Sequence, residues 1–301
     1  MKFEVITSQV LILFLIMFVG LAARKFRLLN NELNTGLTNF ILNVTFPLNI
    51  IASFSFSFSR TILRNILIIF SCAALAHLLA AVISVFLYLR FPGPQRRILS
   101  FITIFGNVGF MGLPILESLF GKAGVFYGSI YVVVFNIFVW TLGVMIFTGK
   151  EDLKILKALA SPALIAVLTG SALSILKIKL PLPVLKTLET VGSMTTPLSM
   201  IVVGSMMADI KIKELFSGFP VYYGTLARLL IIPLVLAFVL KFFHVPEQLL
   251  RISMTSTAMP AASLTAILAG KYKGDTVLAS RIIILSTAFS IITIPLILIW
   301  V

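Results

Sequence analysis

Apolar residues run along this chain in ten long stretches, near residues 5–23, 36–57, 65–89, 98–119, 124–147, 155–176, 184–208, 218–241, 249–270 and 276–300, with short polar segments between them. Each stretch is long enough to cross ~30 Å of hydrocarbon as a helix. In lipid every backbone amide and carbonyl needs a partner within its own segment or within a closed barrel, and stretches this long lack the alternating pattern of barrel strands. The pattern predicts an all-α membrane protein with ten transmembrane helices. No intervening segment is long enough for a soluble domain, so function is expected inside the membrane.

Composition agrees with lipid as the main solvent: of 301 residues, 59% are hydrophobic and 11% charged. The formal charge of +14 is spread in small clusters between the apolar runs. That excludes a contiguous basic surface for nucleic acid and points to loops oriented by their charge. Loops after odd-numbered spans carry fourteen Lys and Arg against nine on the other side, with Arg228 left inside a span. Cytoplasmic loops carry the excess, so both termini are expected on the extracytoplasmic side of a cell membrane, plasma or bacterial inner. The single cysteine, Cys72, allows neither a disulfide framework nor a thiolate metal site. Residues 5–23 exceed the apolar length of a signal peptide and are read as the first span.

The halves of the chain repeat. Five spans fall in 1–148 and five in 149–301, and a duplicated unit with an odd number of spans inserts in opposite orientations. Thr45-Phe46-Pro47-Leu48-Asn49 in the second span matches Thr195-Thr196-Pro197-Leu198-Ser199 in the seventh, 150 residues on. Gly112-Leu113-Pro114 in the fourth has a counterpart in Ala258-Met259-Pro260 of the ninth, 146 residues on. Proline inside a span removes a backbone donor and clashes with the preceding turn, so helices 4 and 9 are expected to be broken. Gly106, Gly109 and Gly112 add freedom just before Pro114. A half-helix N-terminus presents unpaired amides and a positive dipole end, which suits an anion, and two such ends could share one carboxylate with Asn107 beside them.

At these residues the chain resembles the auxin efflux carrier family, which includes plant auxin exporters and bacterial malate and malonate permeases. The resemblance spans nearly the whole chain. It is most specific in Gly106-Asn107-Val108-Gly109-Phe110-Met111-Gly112-Leu113-Pro114-Ile115 and from Met259-Pro260-Ala261-Ala262 through Leu268-Ala269-Gly270-Lys271-Tyr272 to Asp275. It implies a fold like the bile acid/sodium symporters, with crossing broken helices, a mobile transport domain, a scaffold that forms a homodimer, and an elevator mechanism. It also implies that Asn107 contacts substrate, that Pro114 and Pro260 break their helices, and that Phe46 to Ile50 line the site. The candidate substrate-binding set is therefore Asn107, Gly109, Gly112, Pro114, Phe46, Asn49, Ile50, Pro260, Ala261 and Ser263. The short central loop resembles the bacterial branch, and Glu117 stands where plant members often carry a basic residue.

Three ionisable residues inside spans are candidates for ion or proton coupling, because burying charge in a membrane is costly. Glu117 binds a proton or cation, or else is an interfacial carboxylate; Arg228 gates or compensates charge, or else tethers helices; His77 relays protons, or else is a buried neutral ring. Asp209 is expected to end the seventh helix. No metalloprotease, nucleophile-elbow or phosphate-loop motif is present, so no enzyme activity and no cofactor are expected. The resulting expectation is a secondary active transporter of small organic anions, malate, malonate or auxin-like acids, coupled to H+ or Na+. The alternative is a membrane sensor or lipid-binding protein on the same fold.

Overall fold

The computed structural model describes residues 3–54, 59–149, 160–178, 180–208, 215 and 217–301. Helices make up its secondary structure, and no strand occurs among the described residues apart from one isolated bridge. Asp209 and the central loop that begins at Lys150 lie outside the described residues. In chain order the helices are α1 (Phe3–Lys25), α2 (Asn31–Phe40), α3 (Phe46–Ser53), α4 (Arg60–Leu87), α5 (Gly93–Ile104), α6 (Leu113–Phe138), α7 (Val144–Thr148), α8 (Pro162–Ile175), α9 (Leu182–Ser193) and α10 (Thr195–Met207). There follow α11 (Phe219–Leu226), α12 (Ile232–Phe242), α13 (Glu247–Thr257), α14 (Leu264–Lys271) and α15 (Thr276–Trp300).

Local sequence accounts for many of the starts. Asn30, Ser59, Ser161 and Asp275 cap α2, α4, α8 and α15, each side chain accepting from the amide three residues on. That satisfies a donor which the first turn leaves unpaired. Proline stands in the first two positions of α5, α8, α9 and α11, where its missing N–H costs nothing.

Among the described residues, seven stretches are long and apolar enough to cross a membrane: Ile6–Lys25, Asn31–Ser53, Arg60–Leu87, Val108–Thr148, Leu182–Met207, Phe219–Phe242 and Thr276–Trp300. The protein is thus a multi-pass membrane protein, and the difference from ten has identifiable causes. The stretch Val108–Thr148 runs 41 residues and holds the end of the expected fourth span with all of the fifth. Gly121, at φ 59° and ψ −145°, turns the chain between them. Beyond it the helix folds back, for Gly124 lies against the Leu116 backbone and Gly128 against the side chains of Leu113 and Leu116. The expected sixth span is represented by the 14-residue α8, and the ninth is divided into α13 and α14.

Prolines bend this backbone less than expected. Pro47, Pro114 and Pro233 each stand two residues after a π turn, at Ile41–Thr45, Val108–Gly112 and Ala227–Ile231. The wider turn makes room where the proline ring would strike the carbonyl four residues back, so the helix continues instead of breaking. A correction follows: Pro114 does not break its helix, whereas Pro260 lies within a true break, residues 258–263.

Buried aromatics fill the interior, with Phe101, Phe105 and Phe126 fully enclosed. The outside is apolar too: Leu11, Leu15 and Phe18 on α1 and Leu67, Val82, Val85 and Phe86 on α4 are all exposed. In water such a surface would aggregate; in a bilayer it is the wetted face. Helices α1 and α10 pack closely because Gly20 and Gly204 let the backbones meet, a Cβ at Gly204 falling 1.8 Å from the Met17 carbonyl oxygen.

Candidate functional site

Two helix breaks meet in the interior. The chain leaves α5 at Phe105-Gly106-Asn107 and re-enters helix at Val108, and it leaves α13 at Ala258 and re-enters at Leu264. These extended stretches pair antiparallel through a bridge between Gly106 and Ala261. The Asn107 amide donates to the Pro260 carbonyl at 2.7 Å and the Ala262 amide to the Phe105 carbonyl at 3.1 Å. The Ala261 amide donates to Ser286 Oγ at 3.1 Å. Backbone groups freed by the breaks are thereby satisfied inside protein, the condition for irregular chain at membrane depth.

The pairing sorts the half-helix ends by sign. Both C-terminal ends, of α5 and α13, converge on Arg228, which is 2% exposed. Its Nε donates to Met259 O at 2.9 Å and its Nη1 to Thr103 O at 3.0 Å and Ile104 O at 3.5 Å; its Nη2 donates to Thr257 O. No carboxylate pairs with it among the described residues. None is needed, since two helix C-termini at roughly half a negative charge each balance one guanidinium. A Cβ at Gly106 would stand 2.2 Å from Nη2 and 3.2 Å from the Met259 carbonyl oxygen, so a larger residue there would displace the guanidinium from its carbonyls.

The N-terminal ends face the other way, into a cavity of about 1020 Å³. Val108, Gly109 and Phe110 from one half-helix and Ser263, Leu264 and Ile267 from the other line it. Asn107, 4% exposed, bridges the two, its Oδ1 accepting from the Phe110 amide at 3.3 Å and its Nδ2 donating to Ser263 Oγ at 3.4 Å. The amides of Gly109, Ser263 and Leu264 have no backbone acceptor among the described residues. Free amides, two positive dipole ends and a carboxamide in one recess are the elements of an anion site.

The expected site residues separate into distinct places. Asn107, Gly109, Ser263 and Phe46 line the cavity. Pro260 and Ala261 shape it from behind through the backbone pairing, while Gly112 packs on Met259 and Pro114 is buried one turn into the half-helix. Asn49 and Ile50 do not line the cavity. Asn49 belongs to a second cluster, where Glu117 accepts from Thr196 Oγ1 at 2.7 Å and from Asn49 Nδ2 at 3.4 Å. Beside it the Thr45 and Thr195 hydroxyls meet at 3.0 Å. His77, 3% exposed, donates from Nδ1 to the Ala73 carbonyl at 2.7 Å and sits among Phe105, Tyr131, Phe135 and Phe138.

Unforeseen from the sequence are Asn31, Asn34, Thr35, Thr38 and Asn39 on α2 and Asn43 in the π turn after it, a polar stripe along the cavity. Steps of three and four place them on one helix face. That spacing, in an otherwise apolar span, was the available signal.

Helices of membrane-crossing length around a cavity floored by two helix breaks define a multi-pass membrane protein with the architecture of a transporter. The comparisons agree: the model of the family described as membrane transport protein matches residues 5–298, and the chain belongs to that family, the auxin efflux carriers. It is also 25% identical, over 95% of its length and 96% of the relative's, to a Methanocaldococcus jannaschii protein named as an uncharacterized transporter.

Proposed function

We propose that this membrane transporter is a secondary active carrier of small organic anions, built as two inverted five-helix repeats, 1–148 and 149–301, with α5–α6 and α13–α14 as crossover helices. The reading rests on one observation: the N-terminal turns of two broken helices open into a single cavity, with Asn107 between them. The fold-back at Gly121 supports counting Val108–Thr148 as two passes, which with α8 and the broken pass α13–α14 gives ten. The contact of Thr45 with Thr195, residues 150 apart in the repeat alignment, fits an axis relating the halves.

The cavity is lined in part by Asn31, Ser161 and Ser280, near the starts of elements that follow the loops rich in Lys and Arg. In this reading it is open to the cytoplasm, both termini are outside, and elevator movement carries the paired breaks across the cell membrane within a homodimer. Malate, malonate and auxin-like acids are the substrates to try first. Glu117, held by residues from α3 and α10, is the group that takes up the coupling proton or sodium ion. Arg228 and His77 are fully engaged and act as structural members.

Uptake of labelled carboxylates into proteoliposomes tests the proposal. Asn107→Ala is expected to abolish uptake at unchanged folding. Undiminished uptake in that variant would remove the paired breaks as the binding site, and a parent protein that moves none of these acids would remove the anion reading.

A further inference from the structure

A second concavity, of about 520 Å³, lies on the outside of the molecule between α4, α5 and the turn that leads into α7. Its walls are apolar, formed by Val82, Val85, Leu89, Ile104, Leu142 and Ile146. Val82 and Val85 are each 56% exposed, so the slot opens sideways onto the face that meets hydrocarbon. One end carries Arg96 and Arg97, both exposed in the first turns of α5, and neither forms a salt bridge among the described residues. From Arg97 to Ile104 the helix rises about 10 Å, the depth of several carbons of an acyl chain.

An apolar slot open to lipid, ending in two guanidiniums at the level of the loop, matches one class of molecule in both its parts. Guanidinium forks bind phosphate in bidentate fashion, and basic recesses between membrane helices take anionic headgroups. A choline headgroup would bring its cation toward both arginines, whereas glycerol would not. We infer that this groove is a binding site for an anionic phospholipid, with its phosphate on Arg96 and Arg97 and one acyl chain against Val85, Ile104 and Ile146. The bound lipid braces α5, whose end at Ile104 meets Arg228 at the paired breaks. The inference is independent of which substrate the cavity takes.

The test is thermal unfolding of the purified full-length protein in detergent with added phosphatidylglycerol, phosphatidylcholine or inorganic phosphate, with retained lipid counted by native mass spectrometry. Phosphatidylglycerol is expected to raise the midpoint and to be retained, while phosphatidylcholine and phosphate do neither. Arg96→Gln with Arg97→Gln should weaken phosphatidylglycerol binding about thirtyfold and remove the shift. Val85→Trp fills the slot from its exposed side, leaves both arginines, and should also remove it. An undiminished shift in either variant overturns the site, as does an equal shift from phosphatidylcholine; a shift from phosphate alone overturns the lipid.

Discussion

Replacing Arg228 by Met asks how much of the fold depends on one guanidinium. The side chain serves four carbonyls, from Thr103, Ile104, Thr257 and Met259, and all belong to ends of α5 and α13. Leaving a buried acceptor unpaired costs about 1–3 kcal/mol. The 3.5 Å bond to Ile104 is weak, and methionine spares the cost of burying a charge, so the net loss is set at about 3–5 kcal/mol. Gly106→Ala should cause a similar loss while keeping the arginine, because the new Cβ would occupy the place of Nη2. The two changes attack one contact, so the double variant should be no worse than the sum less about 1 kcal/mol or more. Reversible unfolding in mixed micelles, followed by circular dichroism, measures all three. Arg228→Met within about 1 kcal/mol of the parent, or strict additivity in the cycle, would refute the tether.

Two further outcomes are expected. Gly121→Ala has open space for its methyl group, with no atom within 4 Å, yet must hold φ 59° and ψ −145°; a cost of about 1–3 kcal/mol is expected in the same unfolding assay, and a neutral result would mean that the turn relaxes freely. Glu117→Gln keeps the shape that meets Thr196 and Asn49 but cannot change charge, so substrate counterflow should persist while uptake driven by an imposed proton or sodium gradient is lost; intact gradient-driven uptake would clear Glu117 of coupling.

The membrane class, the helical fold and the floor of the cavity could be read from the chain because each has a local signal. Apolar length marks the spans, glycine and asparagine mark the first break at Gly106-Asn107, and proline marks the second at Pro260. The exact break in the first half could not be placed. Proline suggested Pro114, but the chain opens at Gly106, because only there can two backbones and a guanidinium 122 residues away share one spot. That constraint is tertiary and leaves no mark in local propensity. Asn49 belongs to the binding segment only by the family resemblance of Phe46 to Ile50, yet its side chain turns to Glu117, just beyond a π turn at Ile41–Thr45 that shifts the helix register. The stripe from Asn31 to Asn43 straddles the edge of the apolar window 36–57 that defined the span, with Asn31, Asn34 and Thr35 before it.

The sign of the site follows from how the chain passes through the paired breaks. Each half-helix pair runs into the pairing with a C-terminus and out with an N-terminus, so four partial charges are brought within one small volume. Antiparallel pairing through Gly106 and Ala261 lets the two negative ends face one side, where Arg228 neutralises them, and leaves the two positive ends facing the cavity. Without Arg228 the negative ends would cancel much of the field that an anion feels from the positive ones. In the proposed anion carrier, Arg228 therefore acts without touching the cavity: it hides one half of the dipole pattern so that the other half alone faces the anion. A cation offered the same recess would meet two rows of N–H groups and no carboxylate among the described lining residues.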